Sequence, residues 1–139
     1  MLIRTTLILS ILSLSSLASA DDTRKLVELP AMMQEHMLTN MRDHLVTIDK
    51  ILGHMAKGEL DKAAEVAEGR LGMSSLESHG ASHLAQFMPQ EMQAMGTNMH
   101  RAASRFALKA QEGEVLPAYQ SLKEITAACV ACHSAYRIR

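Results

Sequence analysis

Apolar residues return every three or four positions along four stretches of this chain, a spacing that admits little besides packed helices. In the first stretch they fall at Met41, Leu45, Ile48, Leu52 and Met55, one face of a helix extended backwards by Leu38 and Gln34. Pro30 suits its first turn and Gly58 its stop, so a helix is expected over about 30–57. After Lys57-Gly58, Leu60, Ala64, Ala67 and Leu71 share a side, with an end near Gly72 or fraying towards His79. The segment around Gly80–Met88 reads as the longest connection. Pro89 opens a third helix, with Met92, Met95, Met99, Ala102, Phe106 and Ala110 in one row before Gly113 breaks it. A fourth row runs through Val115, Tyr119, Leu122, Thr126, Cys129, His133 and Tyr136. The expected fold is all-α, an antiparallel four-helix bundle with crossing angles near 20°. Packing in the core is the simplest role for any single Met or Leu in these rows.

Residues 1–20 stand apart. Arg4 precedes an apolar stretch to about Leu17, and Ala18-Ser19-Ala20 is a small-x-small cleavage pattern. This is the anatomy of a secretory signal peptide, and the stretch is short for a spanning helix. The expected mature domain is 21–139, exported to the periplasm. It carries 13 basic and 15 acidic residues once Arg4 is removed, a formal charge of −2. That balance gives no footprint for nucleic acid. No repeat, low-complexity tract or long linker suggests a second domain.

The sharpest chemistry lies at the end of the chain. Cys129-Val-Ala-Cys132-His133 is a C-x-x-C-H motif, the attachment pattern of c-type haem. Each thiol adds across a haem vinyl group, and the adjacent histidine is set to ligate the iron from the proximal side. On a helix, Cys129, Cys132 and His133 stand at i, i+3 and i+4, so all three project towards one side. The alternatives fit less well. Zinc needs a fourth ligand or water, and no second cluster has ligand spacing. A redox dithiol of the thioredoxin type expects a βαβ context. A disulfide spanning two residues inside a helix is strained. The expected cofactor is one haem c per chain.

The ending Cys129-Val-Ala-Cys132-His133-Ser-Ala-Tyr136-Arg137 resembles that of the class II c-type cytochromes, cytochrome c′ and its low-spin relatives, in full. The likeness of the remaining chain is one of architecture. The family resemblance implies a sixth iron ligand from an earlier helix. In the low-spin relatives this is a methionine on the first helix, followed by a helical stretch and a Lys/Ala-Gly-Asp/Glu turn. Laid over that arrangement, "NMRDHLVTIDKILGHMAKGE" puts Met41 at the ligand position. Asn40-Met41 is also similar to the ligand region of the soluble b-type four-helix cytochrome. Met37 and His44 are the alternatives, with Met33 and His100 behind them, or the sixth position is open. By the same resemblance Tyr136 packs at the haem edge, and Arg137 lies near the proximal imidazole or a propionate, unless it is a solvated terminal arginine.

A filled sixth position suits electron transfer; an open one admits a small gas. The first reading is a single-electron carrier meeting periplasmic or membrane-bound redox proteins, with a homodimer as an oligomeric option drawn from the family. The second is a five-coordinate cytochrome c′ binding NO or CO. Open-site members place a bulky side chain over the iron, and no aromatic residue occurs in the first helix. An enzymatic role is not expected, because no nucleophile–base arrangement or paired carboxylates can be assigned. His36, His54, His79, His83 and His100 read as mostly surface residues. His79 and His83, at i and i+4, are a weak metal-binding pair.

Overall fold

The computed structural model describes residues 21–139; the expected signal peptide lies outside the described residues. The described chain is predominantly helical. It comprises α1 (Ala31–Ala56), α2 (Leu60–Arg70), a 3₁₀ turn (Met73–Ser75), α3 (Ala81–Ala85), α4 (Gln90–Gln111) and α5 (Val115–Ala135). No helix among the described residues is long and apolar enough to cross a membrane.

The punctuation follows backbone chemistry. Pro30 and Pro89 precede α1 and α4, where the carbonyl of Pro30 accepts from Gln34 N at 2.9 Å and that of Pro89 from Gln93 N at 3.0 Å. Gly58 and Gly113, with φ of 72° and 82°, turn the chain at the ends of α1 and α4 in the left-handed region where a Cβ is unfavourable. Pro117 falls in the first turn of α5, where a missing N–H leaves no hydrogen bond broken.

Helix α1 packs on α2, α2 on α4, and α4 on α5. Their main core holds Ile51 and Met55, Leu60, Ala64, Ala67 and Leu71, Ala103, Phe106 and Ala110, and Ala118, Leu122 and Ile125. The rows expected in α2 and α4 are the buried ones, with Met95 only half-buried. Their alanines let backbones approach closely, and Phe106, fully buried, fills the space between them.

Three departures from the sequence reading matter. The face of α1 is turned: Met37, Thr47, Ile51 and Met55 are buried, while Leu45 is 72% and Leu52 41% exposed. Apolar residues occupy two neighbouring faces of α1, so spacing alone does not choose between them. Packing selects the face carrying Thr47, whose hydroxyl is satisfied by the Asp43 carbonyl at 2.8 Å. In α5 the inward row is Ala118, Leu122 and Ile125, continued by half-buried Cys129, Cys132 and Tyr136; Val115, Tyr119, Thr126 and His133 are exposed. Finally, the expected connection contains α3, and two short strands form where none was expected. Lys25–Leu26 (β1) pairs in parallel with Tyr136–Arg137 (β2), and Val27 N donates to Arg137 O at 2.8 Å. This clasp ties the start of the described chain to the end of α5.

Candidate functional site

The clasp helps to close a second apolar cluster beyond the main core. Val27, Met37, Leu84 and Met92 are buried there, and Met33, Met41, Met88, Cys132, Tyr136 and Ile138 pack against them. Beside it lies a cavity of about 530 Å³, within the range of small-molecule and cofactor sites. Its wall brings together Met37, Met41 and His44 from α1, Met92, Met99 and His100 from α4, and Cys132 and His133 from α5. Met37, Met41 and His44 thus share one wall with Cys132 and His133 across about ninety positions of sequence, while Cys129 is not on it. Met33 belongs to the adjoining cluster and is not on the wall.

Both cysteines are free thiols. Cys129 packs against the main core and Cys132 against the second cluster, so the motif spans the junction of the two. Burial pushes both thiols above the ordinary cysteine range, Cys132 further aided by its neighbour Cys129. A redox dithiol works through a lowered thiol pKa, and this environment does the opposite. His133 is exposed at the mouth of the cavity, and its carbonyl accepts a hydrogen bond from Arg24 Nη1 at 3.4 Å.

The rim is cationic. Arg24, Arg137 and Arg139 all border the cavity. Arg137 Nε is buried without a hydrogen-bond partner, and the nearest carboxylate oxygen, Asp22 Oδ2, is 3.6 Å away. Tyr136 lies on the wall with its hydroxyl 3.4 Å from Glu91 Oε2. Burial, with the Glu91 carboxylate next, raises its phenol above the usual range. These features fit a haem: two thiols and an imidazole on one helix end, a methionine-lined apolar chamber, and at the rim three arginines, of which Arg137 has an Nε without a hydrogen bond although Asp22 stands 3.6 Å from it.

Two of the five histidines expected at the surface, His79 and His100, depart from that role. His79 and His100 are buried, and both stand against half-buried His44. His83, the i+4 partner considered for His79, is exposed. Spacing could not reveal this grouping, since its members come from α1, the segment after the 3₁₀ turn, and α4. Met92 and Met99 were likewise legible as core residues and Met88 as part of the connection, but none as the wall of a chamber.

Comparison with known protein families finds none that matches, and no curated protein or solved structure matches either.

Proposed function

We propose that this chain is an exported class II c-type cytochrome, a single-electron carrier holding one haem c in the cavity between α1, α4 and α5. In this reading its four long helices form the antiparallel four-helix bundle expected from the apolar rows. The observation that carries the proposal is the shared cavity wall: Cys132 and His133 of the C-x-x-C-H motif face the same chamber as Met37, Met41 and His44. Cys129 and Cys132 would anchor the group through thioethers, and His133 would ligate the iron. When bound, haem supplies reversible one-electron exchange at its iron.

The remaining residues have definable tasks. Met41, half-buried on the wall, would give the iron a soft neutral thioether as a second protein ligand. Met37, one turn away, and His44 are the other donors on that wall. The methionines around them exclude water and lower the local dielectric. Arg24, Arg137 and Arg139 would neutralise carboxylates at the rim, relieving the unpaired Arg137 Nε. Tyr136 packs at the edge.

Periplasmic or membrane-bound redox proteins would dock near the exposed motif. The apolar strip of Leu45, Val46 and Leu52 on α1 is the surface that a homodimer would use. The five-coordinate, NO- or CO-binding alternative requires an empty sixth position, and the three donors that line the cavity with His133 favour a filled one.

Intact-mass spectrometry of the secreted protein tests attachment. One covalently bound haem is expected, lost in the Cys129→Ser/Cys132→Ser double variant. Secreted wild-type protein of bare-chain mass, from cells that mature other c-type cytochromes, would refute the proposal.

A further inference from the structure

Three imidazoles meet from three separate elements, and two of them, His44 and His100, also line the cavity. One potential ligand atom from each of His44, His79 and His100 lies within 4.8 Å of the others. Their ring centroids are 4.8, 5.7 and 5.8 Å apart. Three imidazole nitrogens at 2.0–2.1 Å from a tetrahedral metal stand about 3.3 Å apart, with ring centres about 5 Å apart. His44 Nε2 and His79 Nδ1 are already 3.5 Å from each other. The remaining closure is within the reach of side-chain rotation.

One of the three rings is held as metal-ligating histidines usually are, and a carboxylate stands near a second. His100 Nδ1–H donates to the Leu71 carbonyl at 2.7 Å, which leaves the Nε2 lone pair free. His79 Nε2 lies 3.9 Å from Asp43 Oδ2, and its Nδ1 stands 3.5 Å from His44 Nε2 and 3.4 Å from Ser75 Oγ. Asp43 is itself fixed by Arg70, and the His79 carbonyl accepts from Asn40 Nδ2 at 2.8 Å. Burial lowers the pKa of all three rings, with charge on a neighbouring ring next for His44 and His79, a direction that favours the neutral, metal-binding form.

We infer that His44, His79 and His100 form a second metal site, separate from the haem attachment, for an imidazole-preferring divalent ion of the Zn²⁺ or Cu²⁺ type, with Asp43 and the Leu71 carbonyl orienting the ligands. Three protein nitrogens leave a fourth position for water. The ion would staple α1 and α4 to the connection that contains His79. This inference rests on the cluster alone and does not depend on haem being present.

The test uses the mature secreted protein, stripped with a chelator, loaded with Zn²⁺ or Cu²⁺ and dialysed. Elemental analysis should give one added ion per chain, counted separately from iron. His79→Ala and His100→Ala should lower binding more than 100-fold, Asp43→Asn by about 10–100-fold, and His83→Ala should leave it unchanged. Long-range ¹H–¹⁵N spectra of the unaltered protein should show Zn²⁺ shifting three imidazoles of the seven, a readout that survives if a variant fails to fold. Failure to retain either ion, retention undiminished in folded His79→Ala and His100→Ala, or imidazole shifts confined to other histidines would overturn the site. So would a His44→Ala variant whose haem spectrum changes from low to high spin, since His44 would then be an iron ligand.

Discussion

Acid should unfold this protein earlier than its carboxylates alone would require. His44 is held in a half-buried position against His79 and His100, and its pKa falls to about 4, through burial first and the neighbouring rings second. In the unfolded chain it titrates near 6.5. Between those values the unfolded state therefore binds more protons, and stability declines as pH falls. Above about pH 6.5 the ring is neutral in both states and the penalty vanishes. Between pH 7.5 and pH 5.0, His44 alone should remove about 2 kcal/mol. His79 and His100 are shifted in the same direction and add to the loss. The window avoids Asp22 and Glu59, whose pKa values near 2 place their own contribution at lower pH. Urea unfolding in the presence of a chelator measures the effect. For slopes of about 1–3 kcal/mol/M, the midpoint should drop by roughly 0.7–2 M. His44→Asn should remove the His44 share of that drop. Equal stability at the two pH values, or an undiminished pH effect in His44→Asn, would refute the reasoning.

The register of α1 can be tested with two truncations. Ile51→Ala, at a fully buried site, should destabilise by about 2–5 kcal/mol, whereas Leu45→Ala should change monomer stability by less than about 0.5 kcal/mol in chemical denaturation. The reverse order would restore the face that simple spacing suggests. Gly80 has φ of +60°, and a Cβ there would meet His36 Cε1 at 2.6 Å. Gly80→Ala should therefore destabilise by about 1–2 kcal/mol or more, read from the urea midpoint.

Helices were legible in the sequence because their punctuation and periods agree. In α2 and α4 the row that spacing picks out is the row that packing buries, although Leu108 of α4 lies off it and is exposed. The period was insufficient in α1, where Ile51 and Leu52 are adjacent and the chosen face carries Thr47 and His44. It was insufficient in α5 as well, because Ala118 counts for little in hydropathy yet lies fully buried against α4. The terminal motif was local and could be read without a fold. The β1–β2 clasp joins residues more than a hundred positions apart, and the histidine cluster draws on three elements. Both depend on tertiary approach, which no window of sequence contains. The same holds for the arginine rim: Arg24 and Arg137 border one chamber only because the clasp brings the two ends of the described chain together.

In the proposed reading, electron transfer depends on Met41 filling the sixth position of the iron. The absorption spectrum of the reduced protein, recorded before and after addition of carbon monoxide, tests it most directly. A low-spin spectrum indifferent to the gas, turning high-spin and gas-sensitive in Met41→Ala, is the predicted result. A high-spin spectrum in the unaltered protein that shifts on adding carbon monoxide would contradict it.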